Sequence, residues 1–100
     1  MSVKWHRDLI FEGDDAKDPA DVVDYIIDFK PMLQADTIST VTAVGTSITI
    51  DSSSATGNVV TIFVSGGTDN TIAEIKLTIV TTNATPRTFE RSFKIQVMNQ

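Results

Sequence analysis

Cysteine is absent from this chain of 100 residues, and histidine, tryptophan and tyrosine occur once each. Without thiols there is no disulfide framework, no thiolate nucleophile and no reading of the compartment from redox chemistry. His6 is the sole imidazole and stands in a mixed, charged terminus, where it reads as a solvated side chain. The many serines and threonines therefore lack a His partner and read as strand and turn formers, not nucleophiles. No apolar run approaches the roughly 20 residues that cross a bilayer as a helix. The stretch around Trp5, His6, Arg7 and Asp8 has no signal-peptide core, so a soluble, uncleaved chain is expected. Bases are also few: 8 Lys and Arg against 13 Asp and Glu leave a net charge of −5. Such a balance repels phosphate and argues against nucleic acid as a partner.

What is present is alternation. Ile72-Ala-Glu-Ile-Lys-Leu-Thr-Ile-Val-Thr-Thr82 and Arg87-Thr-Phe-Glu-Arg-Ser-Phe-Lys-Ile-Gln-Val97 each place apolar residues at every second position, the period of a half-buried strand. With Asn83-Ala-Thr-Pro-Arg87 as the turn, they predict a long β-hairpin. Upstream, Val23, Tyr25, Ile27 and Phe29 share one face of a first core strand, ended by Lys30-Pro31. Met32-Leu33 then folds back onto the core. Thr37–Val44 and Ser47–Ile50 predict two more strands, followed by Asp51-Ser-Ser-Ser-Ala-Thr-Gly57, which reads as a loop. Val59–Val64 is apolar on both faces and reads as a central strand, closed by a turn at Gly66-Gly67 where positive φ is needed. A core of Val23, Tyr25, Ile27, Ile62, Ile75, Leu77, Ile79, Phe93 and Ile95 follows. One domain of this length buries enough surface to fold without staples. Six to seven short strands with turn signals between them predict an antiparallel two-sheet β-sandwich.

The front of the chain differs from the rest. Residues 1–36 hold nine acids and four bases, and residues 37–100 hold four of each. Residues 1–16 read as an N-terminal arm and residues 17–100 as the domain. The arm is expected to be mobile when free, with Trp5, Leu9, Ile10 and Phe11 anchoring a partner on assembly. Arg91 falls on the core parity of its strand. With Arg87, Lys76 and Lys94 it offers a basic surface opposite the acidic front, so Arg87 and Arg91 join the arm's apolar residues as candidate interface residues. Asp14, Asp15, Asp18 and Asp21 could be read as calcium ligands, but their spacing matches no EF-hand loop. Asp24 and Asp28 are separated by about 13 Å along a strand, too far for a hydrolytic pair at roughly 5–9.5 Å. The residues imply no catalytic site, no metal and no cofactor.

Asp18-Pro-Ala-Asp-Val-Val-Asp-Tyr-Ile-Ile-Asp-Phe29, Asp36-Thr-Ile38, Val64-Ser-Gly-Gly-Thr68 and Arg87-Thr-Phe-Glu-Arg-Ser-Phe93, in that order and spacing, resemble a family of small tailed-bacteriophage virion proteins, the fiber-tail adaptor proteins. The resemblance covers residues 17 to 97 and departs at the final turn, where Asn83-Ala-Thr-Pro86 stands in place of a Gly-containing one. It implies an immunoglobulin-like sandwich and a non-enzymatic structural adaptor. Such an adaptor would dock tail or fiber proteins in several copies, in the virion tail and, during assembly, the host cytoplasm. The alternative from another class is a carbohydrate- or cell-surface-binding sandwich, which would need exposed aromatics. Trp5 is the candidate for that role.

Overall fold

The computed structural model describes residues 2–33, 36–82 and 85–99. Two four-stranded sheets pack face to face. One has the order β1(Ser2–Lys4), β3(Val23–Asp28), β6(Val59–Ser65), β5(Thr49–Thr56); the other runs β2(Ile10–Phe11), β8(Thr88–Val97), β7(Thr71–Thr81), β4(Ile38–Thr46). The expected all-β sandwich is therefore what the chain forms. Its six expected strands are β3 to β8, and two short N-terminal strands add one edge to each sheet.

The β7–β8 hairpin sets the register. Ala73, Ile75, Leu77 and Ile79 point inward and are fully buried, and they lie across from Ile95, Phe93, Arg91 and Phe89. Glu74 and Lys76 face solvent on the other side, as a period of two requires. Asn83 and Ala84 of the turn lie outside the described residues. On the opposing sheet, Tyr25, Ile27, Val60, Ile62 and Val64 complete the core. Val23, expected among them, is only half-buried because it begins its strand at the sandwich's end, opposite Val64. β6 is central, flanked by β3 and β5, but its outward face stays in solvent and leaves Phe63 42% exposed.

The loop expected at residues 51–57 is corrected. β5 continues to Thr56, pairing Ser53 with Ile62 and Ala55 with Val60. Serine has little β preference of its own, but the apolar β6 supplies a complete ladder, and small polar residues suit an edge. A register shift between Ile50 and Ser52 bends that edge. Lys30–Leu33 forms a single helical turn that buries Leu33. Gly66 and Gly67 take φ of 75° and 99°. A Cβ on Gly67 would also meet Val97 Cγ2 at 2.9 Å, so the turn requires glycine sterically as well as conformationally.

The stretch read as an arm at residues 1–16 is paired into both sheets. β1 pairs parallel with β3, Val3 opposite Ile27, and β2 pairs parallel with β8, Phe11 opposite Ile95. Leu9 and Phe11 are 5% and 2% exposed, and the Phe11 ring lies 4.5 Å from that of Tyr25 and 5.7 Å from that of Phe93. Trp5 stacks on Phe29 at 5.3 Å. Strands of three and two residues are too short to show alternation, so burial of these side chains could not be read from periodicity.

Two expectations follow from this packing. Leu77→Ala should cost roughly 2–5 kcal/mol in urea unfolding and Phe11→Ala roughly 3–5, whereas Lys76→Ala, whose ion pair with Glu90 is solvent-exposed, should cost under about 1. A larger loss at Lys76 than at Leu77 would mean that β7 is shifted by one residue. Unchanged stability of Phe11→Ala would return the N-terminal stretch to a mobile arm.

Candidate docking surfaces

The molecule is elongated, with principal extents of 45 × 20 × 17 Å, and acids crowd toward one of its ends. One end carries the β6–β7 turn and the connection from β2 to β3. There Glu12, Asp14, Asp15, Asp21, Asp51 and Asp69 are exposed. At the centre of these acids lies Lys17, 2% exposed, which bridges to Val97 and donates through Nζ to the carbonyl oxygens of Gly66 (2.6 Å) and Asp18 (2.8 Å). Burial pushes its ammonium below the ordinary lysine value, while Asp21, Asp18 and Asp51 act in the opposite direction. Burial likewise raises the nearby Tyr25 phenol to about 12, with Asp15 adding to the effect. Among the described residues no group of acids, histidines or cysteines is arranged to hold a metal ion.

The other end carries the β7–β8 turn, and Lys4, Arg7, Lys30 and Arg87 are exposed there. Asp36 ties this end together. It is buried, accepts from the Arg87 guanidinium at 2.9 Å and from the Thr37 backbone N–H at 2.8 Å, and lends its carbonyl to Asn58 Nδ2 at 2.9 Å. Thr81 accepts from the Arg87 N–H and bonds the same carboxylate through its hydroxyl. Burial alone would raise the Asp36 carboxyl. The bonds from Arg87, Thr37 and Thr81, together with the Arg87 charge, outweigh it and hold the group below the usual carboxylate range. Arg87, a candidate interface residue, is thus partly engaged within its own chain.

Arg91 sits where the core face of β8 reaches the open side of the sandwich. Its guanidinium lies 5.3 Å from the Phe89 ring centroid, with Arg87 5.4 Å from the same ring, and its Nη1 donates to the Glu90 carbonyl at 2.7 Å. Next to it opens a cleft of about 700 Å³ between the Trp5–Ile10 segment, Met32 and residues 91–94 of β8. The candidates are therefore divided by the fold. Leu9 and Phe11 belong to the core, and Trp5 and Ile10 line the cleft beside Arg91, while Arg87 anchors Asp36. Asp36 and Lys17 are the residues whose burial sequence reasoning passed over, and Met32, expected to fold back onto the core, also lines the cleft. A lone acid between a helical turn and a strand and a lone lysine among aspartates give no periodic signal, and their burial depends on tertiary contacts. For the alternative carbohydrate reading, Trp5 is stacked on Phe29, and Phe63 is the large aromatic exposed on a sheet face.

The model of the family described as Podophage GP4 fiber-tail adaptor protein gp77 matches residues 17–96. No curated protein matches the chain.

Asp36 generates a pH prediction. Its folded pKa lies below its unfolded value, so its contribution to stability is complete above the unfolded pKa, about 3.9, and is lost as pH falls through the folded pKa. Arg87→Ala should raise the Asp36 pKa in a carboxyl-carbon NMR titration and move acid unfolding to higher pH. The Arg87 side chain is 48% exposed, so added salt should produce part of the same shift in the unmodified protein. An unaltered Asp36 titration in the variant would mean that the threonine bonds alone hold the carboxylate.

Proposed function

The chain belongs to the Podophage GP4 fiber-tail adaptor protein gp77 family, and on that premise we propose that it is a non-enzymatic structural protein of a bacteriophage tail that docks tail or fiber components through protein–protein contacts. The observation that carries the docking reading is the crowding of acids toward one end of the 45 Å axis. Acids from residues 12–21, Asp51 and Asp69 crowd one end, whereas at the other Lys4, Arg7, Lys30 and Arg87 stand with Asp8, Asp28 and Asp36. An acidic end meeting the exposed bases of the other end favours head-to-tail contact, which closes into a ring when the rotation between copies is right. Many copies held by such symmetry are retained through avidity even where each contact is modest. The virion tail is then the protein's final location, reached from the host cytoplasm.

Tails assembled without this chain give the test. Added wild-type protein should restore attachment of the distal components, and Asp14→Lys with Asp15→Lys, both on exposed positions of the acidic end, should reduce incorporation without changing the melting temperature. Raising salt from low ionic strength should weaken wild-type incorporation, since the Debye length falls to about 8 Å at 0.15 M. Complete tails formed equally well with and without the protein would end the adaptor reading. Equal incorporation of the charge-reversed protein would remove the poles from it.

A further inference from the structure

We infer that the free edge of β8 beside β2 is a strand-addition site for an extended, acidic, apolar-containing segment of a different tail protein. The inference rests on the adaptor reading and gives it a specific contact.

β8 has β7 on one side and β2 on the other, but β2 covers only Lys94 and Ile95. Lys94 N–H donates to the Leu9 carbonyl at 3.1 Å, and Gln96 accepts from Lys17 N–H at 2.9 Å, so the even-numbered residues of β8 turn their backbone groups to this side. Continuing that period back along the strand places the amide and carbonyl groups of Ser92, Glu90 and Thr88 on the same edge. Among the described residues no strand lies beside them. The Glu90 carbonyl is taken by the Arg91 guanidinium, which leaves Ser92 as the exposed position from which a ladder could extend. An unpaired strand edge is a template for another strand.

The cleft lies along this edge and has the lining such a strand would need. Trp5, Ile10 and Met32, each half-buried, provide an apolar wall for side chains on one face of the incoming strand. Arg7, Arg91 and Lys94 outnumber the single carboxylate, Asp8, in the lining, so the site selects acidic residues.

A second copy does not fit the site. Edge-to-edge pairing of two β8 strands would bring the Arg7, Arg91 and Lys94 of both copies together, which like-charge repulsion opposes. The copy's own acidic stretch is held in its sandwich by the Lys17–Val97 bridge and by the bond from Gly13 N–H to Gln96 Oε1. Its remaining edges are poor in acid: β4 has no charged residue, β5 has only Asp51, and the start of β3 that β1 leaves uncovered has only Asp24, which is half-buried. The occupant is therefore a strand of another protein.

The test uses the intact chain and short labelled peptides that alternate valine with glutamate or valine with lysine, read by fluorescence anisotropy. The glutamate peptide should bind and the lysine peptide should not, and binding should slow hydrogen exchange of the Ser92 amide. Ser92→Pro removes that donor from an edge where proline is tolerated; it should weaken binding roughly tenfold or more at an unchanged melting temperature. Arg91→Glu should do the same and serves as the second variant should the proline destabilise the sheet. Failure of the glutamate peptide to bind, or equal binding to both variants, overturns the inference, as does wild-type self-association that Ser92→Pro abolishes. Normal incorporation of Ser92→Pro into tails would overturn the groove and leave the adaptor reading standing. Failure of the wild type itself to support tail assembly would overturn the adaptor reading instead.

Discussion

The register of β7 against β8 is the constraint on which the rest of the molecule depends. Ala73, Ile75, Leu77 and Ile79 are fully buried on one face of β7, and a slip of one residue would exchange them for Glu74, Lys76, Thr78 and Val80. Once that face is fixed, Phe93, Ile95 and Val97 on β8 must point inward, and Val41 and Ala43 on β4, opposite Ile79 and Leu77, close the other side. The second sheet is then selected by shape. Tyr25, Ile27, Val60, Ile62 and Val64 are the residues whose inward face fills the remaining space.

The same register explains the position of the candidate surface. Leu77 lies across from Arg91, so the core parity of β8 passes from Phe93 to a guanidinium at the point where the sandwich opens. A bulge that re-aimed Arg91 would have moved it to the outer face. The ladder instead runs without a shift from Thr71 opposite Val97 to Val80 opposite Thr88. Arg91 therefore stays on the inner side and finds its place on the Phe89 ring and the Glu90 carbonyl. A cation at a core position is tolerated there because the edge beside it is uncovered.

Legibility from the sequence followed the length of each pattern. Eleven residues in β7 and ten in β8 repeat the period often enough to fix strand, face and partner; β3 was readable from the same alternation, and β6 from a short run that is apolar on both faces. The N-terminal strands were not. Leu9 and Phe11 have the parity of a strand, but Ile10 between them is apolar too, and parallel pairing with a strand more than eighty residues away leaves no local turn signal. β5 misled in the opposite direction, because three consecutive serines resemble a loop until a central apolar strand pairs with them. Within the candidate surface, Arg91 was visible as a break in alternation. The cleft beside it was not visible, since it is made by Trp5, Leu9 and Met32 arriving from distant parts of the chain.

The treatment of strand edges separates structure from function in this sandwich. β5 is bent by its register shift and β4 by another between Ile38 and Thr40, which discourages pairing with a straight strand. β1 protects β3 along the stretch from Ile26 to Asp28. β2 stops short on β8, and the edge it leaves is bordered by arginines and a lysine instead of being covered by backbone. Positive charge at an edge is itself a guard, because it repels an identical edge. The same charge admits a strand of opposite sign. In a chain with a net charge of −5, these bases make the uncovered part of β8 unattractive to other copies through this edge and open to an acidic partner. On the strand-addition reading, one arrangement of Arg7, Arg91 and Lys94 limits self-pairing and selects what can dock.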